Sequence, residues 1–79
     1  MEIKILGPGC PKCKNLEKLT REAVEKAGMD ANITKEEDIM KIMEYGVMQT
    51  PGLVINGKVI FSGRVPSSKE INELITQNL

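Results

Sequence analysis

Hydrophobic positions in this chain change their period several times, and each change marks an element. Met1, Ile3 and Ile5 alternate with Glu2 and Lys4 before Leu6 meets Gly7-Pro8-Gly9, the pattern of a short strand ended by a turn. Leu16, Leu19, Ala23, Val24 and Ala27 then share one helical stripe. Glu17, Lys18, Arg21, Glu22, Glu25 and Lys26 cover the other face, and Gly28 supplies a stop. Glu22 and Lys26 are ordered correctly for an i,i+4 ion pair. Met29, Ala31 and Ile33 alternate with polar residues as a second, weaker strand. Thr34-Lys35-Glu36-Glu37 has the form of a capping box and predicts a helix behind it, ending at Gly46. That helix places Ile39, Ile42 and Met43 on one face with Met40 beside it, and these methionines are expected as core filler.

Thr50-Pro51-Gly52 introduces the apolar run Leu53-Val54-Ile55, and Asn56-Gly57 follows directly. Asn-Gly between two apolar runs is a strong hairpin signal, because a type I′ turn needs positive φ at both central residues. Val59-Ile60-Phe61 is the return strand, broken by Ser62-Gly63. Ser67-Ser68-Lys69-Glu70 is a second capping box, opening a helix with Ile71, Leu74 and Ile75 on one face. The order is β-α-β-α-β-β-α. The first two strands, joined by a helix, are expected to be parallel through a right-handed crossover, and the last two to form an antiparallel hairpin. Together they predict an α/β fold: a single domain, residues 1–79, with a four-stranded mixed sheet flanked by helices.

Composition narrows the function more than the fold. At 79 residues the core is small and every element must contribute to it. Eleven basic residues balance eleven acidic ones, so no net charge draws the chain to nucleic acid or an anionic membrane, and Tyr45 and Phe61 leave little for stacking on bases. No run approaches the ~20 apolar residues of a membrane helix, and the opening apolar stretch is too short for a signal-peptide core. A cytoplasmic location is expected. In a reducing compartment a permanent disulfide is disfavoured, so the two cysteines are expected to be catalytic, regulatory or metal-binding.

Both cysteines fall in Cys10-Pro11-Lys12-Cys13, between the end of a strand and the start of a helix. With Cys10 as N-cap, Pro11 takes the first helical position, where its missing N–H costs nothing. Cys10 then faces the free N–H groups and the positive end of the helix dipole, which favour thiolate over thiol, and Lys12 adds positive charge. Cys13, one turn further in, is placed to attack a disulfide formed at Cys10. The cycle this predicts has Cys10 thiolate attacking a substrate disulfide and Cys13 resolving the mixed disulfide. Cys-x-x-Cys also suits a soft metal ion such as Cu(I), or a pair that senses redox state.

Taken with Thr50-Pro51 before the third strand, the Cys10-Pro11-Lys12-Cys13 motif and the element order resemble the thioredoxin-like superfamily over essentially the full length. The chain is most similar there to the small, glutaredoxin-sized thioredoxins of archaea and some bacteria. The resemblance implies a protein disulfide oxidoreductase with no cofactor beyond a redox-active Cys10–Cys13 disulfide. It also implies disulfide-containing protein substrates, an electron donor of thioredoxin-reductase type and a monomeric state. By the same resemblance the Thr50–Pro51 bond is expected to be cis, leaving the Thr50 backbone free to pair with a substrate segment as an added strand. The dipeptide alone favours trans, since only ~5–6% of X–Pro bonds are cis.

Departures from the family patterns shape the expectation. Pro11 directly after the first cysteine is similar to glutaredoxins, yet Lys12 replaces their usual aromatic residue. Gly9 stands where thioredoxins commonly carry tryptophan. Between the fourth strand and the last helix, Ser62-Gly63-Arg64-Val65-Pro66-Ser67 offers one glycine and no carboxylate, which argues against glutathione binding. No residue matches the buried aspartate that serves proton transfer in thioredoxins, and Lys4 is expected in solvent at a sheet edge. Small copper chaperones also place Cys-x-x-Cys between a first strand and a first helix, but they run β-α-β-β-α-β and end in a strand. A structural zinc site wants four ligands, and this chain offers two cysteines and no histidine.

Overall fold

The computed structural model describes residues 1–9 and 11–78. Its elements are β1 (Glu2–Leu6), α1 (Pro11–Ala27), β2 (Asn32–Glu36), α2 (Ile39–Glu44), β3 (Gly52–Ile55), β4 (Lys58–Ser62) and α3 (Ser68–Gln77). They form one four-stranded sheet in the order β2-β1-β3-β4. β2 runs parallel to β1, while β3 is antiparallel to both β1 and β4.

Strand alternation sorts the core onto two faces. Ile3, Ile5, Leu53 and Ile55 join Leu16, Ala23 and Val24 of α1 and Ile71 and Ile75 of α3 in the larger cluster. Leu6 and Val54, out of phase with those residues, meet Ile42 of α2 and Val47 in the smaller one. Burying one such aliphatic side chain fully is worth about 1.5–3 kcal/mol, so α1 and α3 carry more of the stability than α2 does. The run Val59-Ile60-Phe61 serves both faces. Val54 pairs with Val59 but Leu53 pairs with Phe61, so Ile60 is an extra residue in a bulge. Val59 packs against the small cluster, while Ile60 and Phe61 turn to the large one.

The helix ends follow from local chemistry. α1 begins at Pro11, the residue expected in the first helical position. The expected N-cap, Cys10, lies outside the described residues. At the other end Gly28, with φ of 66°, closes a Schellman motif in which its N–H donates to the Glu25 carbonyl and that of Met29 to the Val24 carbonyl. Asn56 and Gly57 both have positive φ, 51° and 83°, as the expected hairpin turn requires. Ser67 caps α3 by accepting from the Glu70 N–H at 3.2 Å. The reciprocal half of that box is absent because Glu70 turns its carboxylate to Arg64.

Several expectations are corrected. The second strand spans Asn32–Glu36 rather than Met29 to Ile33, because β1 pairs with it residue for residue from Glu2 with Asn32 to Leu6 with Glu36. Thr34 to Glu36 therefore belong to a strand and not to a capping box. Asp38 caps α2 instead, accepting from the Met40 N–H at 2.9 Å. Met40 and Met43 of α2 are not core filler: they are 72% and 51% exposed, Ile39 is half exposed beside them, and Met48 after the helix is 83% exposed. A six-residue helix crossing a small sheet face buries little more than Ile42. Lys4 is not at a sheet edge, because β1 lies between β2 and β3. Its Nζ is 3.3 Å from the Tyr45 hydroxyl oxygen and 5.8 Å from the ring centroid. On α1 the described surface ion pair is Glu17 with Arg21 rather than Glu22 with Lys26, and Ala27 of the expected apolar stripe is exposed.

Candidate functional site

The antiparallel pairing of β1 and β3 decides which segments meet. Leu6, the last residue of β1, is opposite Gly52, the first of β3. The chain leaving β1 toward α1 and the chain entering β3 through Thr50-Pro51 thus emerge at the same end of the sheet. Residues more than forty positions apart in sequence share one edge.

Gly7 sits where they join. Its N–H donates to the Glu36 carbonyl at 2.9 Å, carrying the β1–β2 pairing one residue further. A Cβ built onto Gly7 would collide with Sγ of Cys13, stand 3.0 Å from its Cβ and reach within 3.9 Å of the Thr50 Cβ. The absence of a side chain at Gly7 therefore lets Cys13 pack against the sheet end, with Thr50 alongside. Cys13 is 5% exposed, Pro51 is fully buried and Thr50 is half-buried. Pro11 and Lys12 are both exposed on the first turn of α1. The Thr50–Pro51 peptide bond is cis, and the Pro51 carbonyl accepts from the Gly63 N–H at 2.8 Å, tying this segment to the end of β4. Of the predicted site residues, Cys13, Thr50 and Pro51 are brought together and Pro11 and Lys12 border them. Cys10 lies outside the described residues.

Two hollows flank this centre, and sequence reasoning identified neither. A pocket of about 290 Å³ is lined by the Gly7-Pro8-Gly9 turn, Cys13, Lys14 and Glu17 of α1, and Lys35 and Glu37 at the end of β2. Glu17 is held between Arg21 at 3.0 Å and Lys35 at 3.6 Å. The hydrogen bond from Arg21, assisted by the positive charge of Lys35, keeps its carboxyl below the ordinary range against a smaller opposing effect of burial. Glu17 follows Cys13 by one turn of α1, and Lys35 joins them because β2 reaches Glu36.

The second hollow, about 170 Å³, is apolar and lined by Ile39, Ile42, Met43, Val47, Met48 and Thr50. It adjoins the cis-proline segment directly through Thr50. Ile39 and Met43 of α2 and Met48 of the loop after it line this hollow instead of filling the core.

Comparison with known proteins agrees with this architecture. A family model described as a thioredoxin domain matches residues 1–76. A thioredoxin of Methanothermobacter thermautotrophicus is 41% identical over 76 residues, covering 96% of this chain and 99% of its own. A thioredoxin of Methanocaldococcus jannaschii is 42% identical over 71 residues, covering 90% of this chain and 81% of its own. A probable thioredoxin of Archaeoglobus fulgidus is 31% identical over 71 residues, with 86% of this chain and 77% of its own covered. With its sheet order, its helices and these relatives in agreement, the chain belongs to the thioredoxin family.

Proposed function

We propose that this thioredoxin-type redox protein reduces protein disulfides through Cys10 and Cys13. Cys10 thiolate attacks one sulfur of a substrate disulfide. A Cys10–substrate S–S bond forms, and the other substrate sulfur leaves as thiolate and takes a proton from water. Cys13 then attacks Cys10, forming the Cys10–Cys13 disulfide and releasing the second substrate thiol. Two electrons have passed to the substrate, and a reductase of thioredoxin-reductase type returns two electrons and two protons to the pair. The observation that carries this reading is the packing of Cys13 against Gly7 beside Thr50, which sets a cysteine of the Cys-x-x-Cys motif next to the segment proposed to bind substrate.

The Thr50 backbone is proposed to pair with the extended substrate segment that carries the disulfide. Its neighbouring apolar hollow, lined by Ile39, Met43 and Met48, continues that surface and suits an apolar side chain close to the substrate cysteine. Unbranched thioether side chains adapt to varied shapes, which fits a reductant of many proteins rather than of one. Protein disulfides are accordingly proposed as substrates in preference to glutathione.

The test is a set of titrations in glutathione and dithiothreitol buffers, giving the Cys10 thiolate pKa and the dithiol potential, with insulin-disulfide reduction as activity readout. A reversible two-electron couple within the range of known dithiol proteins, ~−270 to ~−120 mV, with turnover supports the proposal. Thiols of ordinary pKa without turnover would overturn it and direct attention to Cu(I) competition.

A further inference from the structure

Resolution requires Cys13 to lose a proton, yet Cys13 is 5% exposed. The described charged groups around its pocket are Lys14 and Glu17 from α1 and Lys35 and Glu37 from the β2 side. Arg21 adjoins Glu17 from further along the helix. On the other sheet face, Lys4 is turned to Tyr45 and does not line this pocket. Glu17 and Cys13 are four residues apart on one helix, a spacing that puts their Cβ atoms about 5–6 Å apart on the same face. The pocket, at about 290 Å³, has room for several water molecules between sulfur, carboxylate and bulk solvent.

We propose that Glu17, held by Arg21 and Lys35, is the relay through which Cys13 gives up its proton into this pocket when it resolves the mixed disulfide. The inference rests on the thiol–disulfide reading and assigns the proton path within it. In the resolving step, the Cys13 S–H proton passes through water to the Glu17 carboxylate as the Cys13 sulfur bonds to Cys10. The Cys10–substrate S–S bond breaks, its electron pair leaves on the substrate sulfur, and that thiolate is protonated by solvent. Glu17 then returns its proton to the pocket water, so the net products are the Cys10–Cys13 disulfide and a substrate thiol. Glu17 acts through water without touching the reacting sulfurs, and is a positioning residue for the proton. The Arg21 hydrogen bond, with a smaller contribution from the charge of Lys35, keeps Glu17 ionised and ready to accept, and Lys35, lining the same pocket, favours the negative charge that develops on Cys13. A carboxylate flanked by two cations is a weak base. The expected acceleration is therefore near tenfold, below the ~10²–10⁴ of a well-matched general base.

The test uses the reduced full-length protein in excess over dithiobis(nitrobenzoate), whose two coloured thiolates leave in sequence. The first reports attack by Cys10 and the second reports resolution by Cys13. Glu17→Gln is expected to leave the first phase unchanged and slow the second about tenfold at neutral pH. That deficit should shrink as the pH rises past the ordinary thiol pKa of ~8.5, where Cys13 ionises unaided. Glu17→Asp, which keeps the carboxylate, should restore most of the second phase. A second phase in Glu17→Gln with the wild-type pH profile, or one slowed by the same factor at every pH, would overturn the relay. Absence of the first phase in the wild-type protein would instead overturn the thiol–disulfide reading itself, and the relay with it.

Discussion

Gly7 and Cys13 are in such close approach that Gly7 has no room for a side chain: an added Cβ would collide with the cysteine sulfur. Gly7 does not have positive φ, so its requirement is one of space and not of backbone conformation. Gly7→Ala should force Cys13 and the first turn of α1 away from the sheet end. The expected loss is about 1–3 kcal/mol, the usual cost of overpacking a well-filled site. Urea unfolding measures it. The same variant should resolve mixed disulfides more slowly, because Cys13 and Thr50 both border Gly7; an unchanged stability would show that α1 shifts freely.

Roles within the cysteine pair are separable by trapping. Cys13→Ser leaves Cys10 able to attack but nothing to resolve the product, so a stable mixed disulfide with insulin or another protein disulfide should accumulate. Cys10→Ser should accumulate little, since Cys13 is buried. Non-reducing electrophoresis followed by mass spectrometry reads both. Equal trapping by the two variants would reverse the assignment of nucleophile and resolving residue.

Lys12 is exposed on the first turn of α1, so its charge acts across water. A unit charge ~7 Å away in water is worth roughly 0.6 kcal/mol, under half a pKa unit, and salt reduces it further. Lys12→Gln should therefore raise the Cys10 thiolate pKa slightly and make the pair slightly more reducing, with the difference fading at high ionic strength. Thiolate absorbance titrations at two salt concentrations check this. A large, salt-independent shift would mean that Lys12 acts by more than its charge.

What could be read ahead of the structure depended on whether the signal was local. Asn56-Gly57 specifies its own turn, Gly28 its own stop and Ser67 its own cap, so the hairpin and the ends of α1 and α3 were legible. The Cys-x-x-Cys motif and Thr50-Pro51 were legible as motifs though widely separated. β2 was misplaced by three residues at each end because its span is set by pairing with β1, which no residue of β2 encodes alone. The exposure of Met40 and Met43 was hidden for a related reason. Apolar spacing on α2 shows that a face exists, but the small sheet face opposite has room for little beyond Ile42. The pocket joining Cys13, Glu17 and Lys35 needed α1 and β2 to be side by side, which is a property of the assembled sheet.

The apolar hollow beside Thr50 separates protein substrates from small ones. Met48 is 83% exposed and lines that hollow, so changing it disturbs little of the core. Met48→Lys should slow reduction of insulin severalfold by placing a hydrated charge where an apolar side chain is proposed to rest. Reaction with dithiobis(nitrobenzoate), too small to span the hollow and the cysteines together, should be nearly unaffected. Equal slowing of both reactions would place the effect at the thiols and not at docking.

The pH dependence of stability tests the link between β4 and α3. Glu70 receives a hydrogen bond from Arg64, and this bond, with a lesser contribution from the Arg64 charge, holds its carboxyl below the ordinary carboxylate range against an opposing effect of desolvation that is smaller than that of the bond. A carboxyl whose pKa is lower in the folded state contributes stability that is fully present above its unfolded value. That contribution is lost as the pH falls through the depressed folded value. Glu17, depressed by Arg21 and Lys35, acts with the same sign. Urea midpoints should therefore be steady from neutral pH down to about 5 and fall below it. Glu70→Gln should flatten part of that fall while lowering stability at neutral pH, and the two proteins should converge once Glu70 is protonated. Ser67→Ala, which removes the cap accepting from the Glu70 N–H, should cost about 1 kcal/mol at every pH, because a hydroxyl does not titrate here. A Glu70→Gln deficit that persists unchanged at acid pH would show that the Arg64 pair contributes through packing rather than through charge.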